Sequence, residues 1–468
     1  MSDRSQYPCG GFSRRTFLLG AAVGASLPLG WLSYRTAQPL FTGRSVEIPR
    51  APLAMPGPFP GRVIEVQHPG AINDRYEVNA DSVRHMMRVG MSQLIGNSDV
   101  DSAWRRFFVR DDIVGIKVNP VGRKALPNEG GRVSHAPGVI SSPEVLAETV
   151  RCLHEYCGVP KRNIIVFERY ANEFRDAGYE PIMRTRPMEG VKWYASAHQY
   201  DGEQTLIDGQ NASSGRDQNV VGYDPDVFVS MGFASNEHSQ RDERRHRSHL
   251  SVIVTRMVNK IITIPNLKDH KSAGVTIALK NMSHGMNNNV ARSHLAGIQR
   301  LDGVVSGPNQ CNTFIPTAIN QRPLLEKATL HICDGLIGVY EGGPGNWNRT
   351  WGWWLRKSMF FGTDPVAMDH VGWNIIDAKR VEMGWLPVAQ MGLHQGRPSV
   401  QIPPAQAAAV LTAPPFVSAA MLMEQQRLRA FASEPFDRRQ PEHVVLAGLL
   451  GLGRFDATEI DHRVIRLS

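Results

Sequence analysis

The chain has 468 residues, 42% of them hydrophobic, and a formal net charge of +8. That is enough for a large core and exceeds the usual size of a single domain. Residues 1–40 carry Arg4, Arg14, Arg15 and Arg35 against Asp3, which leaves only +5 on the rest. With no basic run interleaved with aromatics, this balance argues against a nucleic-acid partner.

The first informative segment is Ser13-Arg14-Arg15-Thr16-Phe17-Leu18, followed by an apolar run to about Tyr34. A paired arginine before Phe-Leu and a short hydrophobic stretch reads as a twin-arginine (Tat) signal. The run from Phe17 to Leu32 has no charged residue but contains Gly20, Gly24, Pro28 and Gly30. It falls short of the ~20 apolar residues of a spanning helix. The expectation is export in folded form, to a periplasmic or equivalent location, with the twin-arginine translocation machinery as partner. No Ala-x-Ala site follows, and the Ala37-Gln38 junction is the candidate cleavage point. An uncleaved signal would leave the chain tethered to a membrane.

After a proline-rich linker, Arg62 to Val66 reads as a strand, and Asp81 as the cap of an amphipathic helix through about Leu94. Asp112 to Asn119 is a β-branched strand. Ser142-Pro143-Glu144 starts a helix that Gly158 stops, and the strand Asn163 to Phe167 follows at once. This strand–helix–strand order predicts an α/β fold, with a mostly parallel sheet flanked by helices. Residues 171–250 are polar, and only Val227 to Ser230 is strongly strand-like. They predict a long polar insertion covering one end of the sheet. The core pattern resumes with the strand Asn259 to Pro265 and a helix from about Ala273 to His284, ended by Gly285. Strands Thr329 to Cys333 and Met359 to Gly362, a helix Asp364 to Lys379, a helix Glu442 to Leu450 and a strand His462 to Leu467 complete the chain.

Ligands of parallel sheets bind beyond the carboxyl ends of the strands. Here those ends carry Lys117 and Asn119, then Glu168 and Arg169, then Asn266, Lys268, Asp269 and His270, and finally Asp334 with Glu341 and Gly342-Gly343-Pro344-Gly345. In the predicted helix, Thr276, Lys280 and His284 recur every four residues and share one face. A lysine in so apolar a helix needs a partner, with Asp334, Asp364 or a bound anion as candidates.

The five cysteines, Cys9, Cys152, Cys157, Cys311 and Cys333, include no C-x-x-C pair. This argues against a cysteine-ligated iron–sulfur cluster, and the last four read as small buried hydrophobes. His135, His238, His246, His249, His270, His284 and His294 form no H-x-x-x-H or H-E-x-x-H motif, and the cofactor question stays open. Nucleophile-elbow, P-loop and dinucleotide-binding motifs are absent too. The mixed-charge run Arg241 to Arg247 reads as a solvated loop.

The segments DIVGIKVNP, SSPEVLAETVRCLHEYCGVP with NIIVFERY, IITIPNLKDHKSAGVTIALKNMSHGM, HICDGLIGVYEGGPG and FGTDPVAMDHVGWNII together resemble the domain of unknown function 362 (DUF362) family over about residues 105–380. The resemblance divides the chain into a signal region (1–40), an N-terminal extension (41–104), an α/β domain (105–380) and a C-terminal extension (381–468). It implies roles for Lys117 and Asn119, for Pro265, Lys268 and His270, and for Thr276, Lys280 and Asn281. It also points to Asp334, Glu341, Gly343-Pro344, Asp364, Pro365 and Asp369. Many relatives append a ferredoxin-like cluster module, for which this chain lacks the cysteines. The expected function is that of an exported enzyme acting on a small anionic molecule. Lys268, His270, Lys280 and Asp334 would be catalytic, and Lys117, Asn119, Thr276, Asn281, Glu341 and Asp364 would bind substrate. The alternative is a metal- or ligand-binding periplasmic accessory protein without turnover.

Overall fold

In the computed structural model the described residues are 53–96, 99–122, 137–200, 205–211, 214–231, 243–270, 272–293, 310–346, 350–385, 387–388 and 441–468. The export segment, Cys9, His135, His238, Arg241 and His294 lie outside them.

Alternation along the strands organises the molecule. In β1 (Arg62–Gln67), Ile64 and Val66 enter one apolar cluster and Val63 the other. β3 (Ile164–Tyr170) splits the same way, with Ile164 and Val166 against Ile165 and Phe167. A sheet that buries both faces needs a helical layer on each. The first face takes α1 (Ala80–Ile95), whose Met86, Met87, Met91 and Leu94 are buried, α2 (Val100–Arg105) with Trp104, and α3 (Pro143–Glu155) with Val145, Leu146 and Leu153. The second face takes α6 (Ala278–Met286), α7 (Gln310–Ile319), α8 (Arg322–Lys327), α9 (Pro365–Glu382) and α10 (Glu442–Leu449).

The remaining strands are β2 (Val114–Lys117), β4 (Lys192–Ala197), β5 (Tyr223–Ser230), β6 (Arg247–Ser251), β7 (Lys260–Thr263), β8 (Asn266–His270), β9 (Gly274–Val275), β10 (Ala328–Glu341), β11 (Gly352–Gly362) and β12 (Asp461–Arg466). The main sheet runs β12-β1-β11-β10-β7-β2-β3-β4. From β10 to β4 every neighbour is parallel, whereas β11 is antiparallel to both β10 and β1. The fold is therefore α/β with a mostly parallel sheet. β1 and β12, from the two ends of the described chain, pair in parallel within this same sheet.

Several local expectations are corrected. Asn79, not Asp81, caps α1, because its side chain accepts from the backbone N–H groups of Asp81 and Ser82. Residues 171–197 do not leave the sheet. Through the short α4 (Ala171–Asp176) and α5 (Tyr179–Ile182) they deliver β4 to its edge, and only β5 and β6 form a separate antiparallel pair. β4 went unread because Trp193 and Tyr194 are its only large apolar side chains, among small and polar ones. β10 and β11 are each longer than expected, since their far halves pair with each other through Val339–Trp353 and Glu341–Gly352.

A fourth correction matters most for the site. Residues 273–277 are not helical. Chain that would have been the first helical turn forms the β8–β9 hairpin, with Gly274 at φ +78°. That left-handed conformation suits glycine and ends any helical path through it. α6 starts only at Ala278, where the Asp369 carboxylate of α9 accepts the N–H groups of Ala278 (2.7 Å) and Leu279 (3.3 Å).

Candidate functional site

Strand parity places the first site residue. Lys117 ends β2 one residue after Ile116, so it points to the opposite face, toward α6. There its ammonium is 1% exposed, and burial pushes its pKa down against the opposing pull of Glu168. It donates to Val118 O (2.7 Å), to the Glu168 carboxylate at the end of β3 and to Asn281 Oδ1 (3.3 Å). An alanine Cβ at position 285 would lie 2.5 Å from Lys117 Cε. Gly285 is thus not the helix stop that its residue type suggested. It sits inside α6 and leaves room for the lysine.

β8 brings the second set. It continues the line of β7 beyond Pro265 and pairs with β10, which carries Lys268 and His270 past the ends of β2 and β3. Lys268 is fully buried and donates to Val121 O and to Val139 O (2.9 Å). Burial, reinforced by the nearby Lys280, lowers its pKa to about 7. His270 Nδ1 accepts from the backbone N–H groups of Ser272 (3.0 Å) and Ala273 (3.2 Å). Those two donors leave Nε2 as the protonated nitrogen of the neutral ring.

α6 supplies Lys280, Asn281 and His284 one turn apart, and Thr276 joins them from the hairpin rather than from the helix. Lys280 has its pKa lowered to about 8, chiefly by burial, with Cys311 pulling it up and Arg169 pushing it further down. His284 meets Ser293 Oγ (2.7 Å) and Ser283 Oγ (3.0 Å), and its backbone carbonyl accepts from Arg169 Nη1 (2.8 Å). The Arg169 guanidinium lies 4.2 Å from the Tyr170 ring centroid.

These residues enclose one cavity of about 120 Å³, with Lys117, Asn119, Lys268, His270, Thr276, Lys280 and Asn281 on its wall. Glu168, Arg169, His284, Gly285 and Pro344 complete the lining together with Val121. Glu168 and Arg169 were visible as polar strand-end residues by the same rule that found Lys117. Among the described residues of this wall four cationic side chains therefore accompany one carboxylate, Glu168, which is bound to Lys117.

The other expected carboxylates lie off this wall. Asp334 accepts from Ser142 N (2.7 Å) and Leu336 N (3.1 Å), tying the start of α3 to β10. Glu341 is buried against Arg380 of α9 (2.5 Å). Behind the cavity, Asp269 Oδ1 accepts from Gly343 N (2.7 Å) and so fixes the turn that presents Pro344. Asp364 caps α9 through Val366 N and Ala367 N and also accepts from Gly61 N and Arg454 N. Neither Asp334 nor Asp364 is the expected partner of Lys280. Among the described residues no group of three or more His, Cys, Asp and Glu is arranged to hold a metal, and the four described cysteines are free and buried. No described helix is long and apolar enough to cross a membrane.

Residues 225–374 match the DUF362 family, described as a domain of unknown function. The match is narrower than the 105–380 span of the resemblance and takes in β8, α6, β10 and the start of α9, while Lys117 and Glu168 lie before it. No curated protein matches the chain. A crystal structure of a protein from Thermotoga maritima is similar over 83% of this chain and 88% of its own, at 11% identity and a TM-score of 0.34. That likeness is too low to carry an argument.

Proposed function

We propose that the cavity binds a small anionic molecule and that the protein is an enzyme acting on it. The observation that carries this reading is the imbalance of charge on an enclosed wall. Lys117, Lys268, Lys280 and Arg169 converge there, while Asp334, Glu341 and Asp364 are engaged elsewhere. Lys268 is fully buried and its printed hydrogen bonds go to two uncharged backbone carbonyls, and a buried ammonium is costly without a compensating charge, so a bound anion would stabilise it. Lysines whose pKa lies near neutrality can also pass a proton at physiological pH, which suits Lys268 and Lys280 to acid–base work. The second reading, ligand binding without turnover, draws support from His270. Its Nδ1 is held as an acceptor by two backbone donors, which favours a fixed hydrogen-bond donor over a base.

Calorimetric titration with inorganic phosphate and with acetate tests the anion reading. Lys280→Met is expected to weaken binding at least tenfold while the protein still unfolds cooperatively. Unchanged affinity in this variant and in Lys268→Met would remove it.

We propose further that the segment from Ser13 to Leu18 directs export by the twin-arginine route. Replacing Arg14 and Arg15 together by lysine should hold the protein in the cytoplasm, as followed by cell fractionation. Export that persists in this variant would refute the assignment.

A further inference from the structure

The two polar atoms of Asn281 have different fates. Oδ1 accepts from Lys117 Nζ at 3.3 Å, whereas Nδ2, in a residue that lines the cavity, is buried with no hydrogen-bond partner. An ammonium group cannot accept a hydrogen bond, so turning the amide over would set donor against donor. Lys117 therefore decides which way the amide faces. The lysine has no freedom of its own, because its three N–H bonds go to Val118 O, Glu168 and Asn281. Lys268 behaves differently, since two backbone carbonyls take only two of its three N–H bonds.

We infer that Asn281 Nδ2 donates to an oxygen of the ligand, and that Lys117, held by Glu168, is a positioning residue that aims this amide rather than a cation that touches the ligand. Asn281 Nδ2 and the remaining N–H of charged Lys268 can only donate, so the ligand must offer acceptor oxygens to both. That is the chemistry of an oxyanion group, carboxylate, sulfate or phosphate, and it excludes a ligand presenting N–H to Asn281. This assignment rests on the anion reading above and adds the group that selects the oxygen.

The test uses the full chain and inorganic sulfate as the probe, followed by calorimetry at neutral pH. Asn281→Asp keeps the shape of the side chain but places a carboxylate oxygen where the amide nitrogen was. It should lower sulfate affinity by at least tenfold. The double variant Lys117→Met/Glu168→Gln removes both buried charges together and should weaken sulfate binding about tenfold, although neither side chain is assigned a ligand contact. With asparagine selectively labelled with 15N, the Asn281 side-chain amide resonance should shift on sulfate addition in the unaltered protein and shift less in the double variant. If the double variant does not fold, the Asn281→Asp affinity and the amide shift decide the matter alone. Sulfate binding that Asn281→Asp leaves unchanged, or an amide resonance that sulfate does not move, would overturn the assignment of Asn281 and leave the anion reading standing. Absence of sulfate, phosphate and acetate binding to the unaltered protein would overturn both.

Discussion

At the scale of single residues, Lys268 and Lys280 share a cavity in which burial has removed the water that would hydrate two ammonium groups. Each is therefore easier to deprotonate than a lysine in solution, at about 7 and about 8. An anion favours the charged forms. Below these values both lysines carry their protons before the ligand arrives, and binding needs no proton uptake. Above them, binding must recharge each lysine, so affinity falls as pH rises, by up to about tenfold per pH unit for each group titrated. Titrations between pH 6 and 9.5 should show affinity for acetate, whose own charge is constant there, declining above pH 7 and more steeply above pH 8. Lys280→Met should flatten the upper part of that decline. An affinity independent of pH across this interval would contradict the role of both lysines.

At the scale of elements, α6 is a short helix shaped by two distant contacts. Its first turn is fixed from α9 by Asp369, whose carboxylate takes the Ala278 and Leu279 N–H groups, a capping interaction worth about 0.5–2 kcal/mol. Its last turn contains Gly285, where alanine would gain up to about 1 kcal/mol in helix propensity. Against that gain stands a Cβ 2.5 Å from Lys117 Cε and 2.7 Å from Nζ, in a side chain pinned by three acceptors. Overpacking of this kind costs about 1–3 kcal/mol, so the clash wins. Gly285→Ala is expected to lower stability by about 1–2 kcal/mol in urea unfolding and to weaken anion binding by disturbing Lys117. A stabilised Gly285→Ala protein would mean that the lysine yields more easily than its partners suggest.

At the scale of the whole molecule, Asp364 joins parts of the chain more than 300 residues apart in sequence. It is fully buried, accepts from Gly61 N and Arg454 N at 2.9 Å each, and caps α9. Removing it would leave four backbone donors without their acceptor and loosen both β1 and the segment leading to β12. With each buried unsatisfied group costing about 1–3 kcal/mol, Asp364→Ala should destabilise the protein by at least about 3 kcal/mol in chemical denaturation. Anion affinity of the folded fraction should hold, because this residue stands away from the cavity wall. Loss of binding without loss of stability would place Asp364 in the site after all.

Much of this was legible along the chain, because strand alternation and strand-end polarity are local properties. Periodicity located most strands and the α/β order, and the carboxyl-end rule picked Lys117, Asn119, Lys268 and His270, which the fold brings to one wall. Local signals misled where a distant group set the outcome. The apolar run at 273–277 has helical spacing, yet the hairpin and the Asp369 cap begin α6 later. Asp334, Glu341 and Asp364 had the right chemistry for a site, but Ser142, Arg380 and the Gly61 and Arg454 backbones claim them. The sequence by itself determined which residues could carry charge at the strand ends. Only the tertiary structure decided which of those charges were already partnered, because a buried charge is settled by whatever donor or acceptor the topology places beside it, across any distance in the chain.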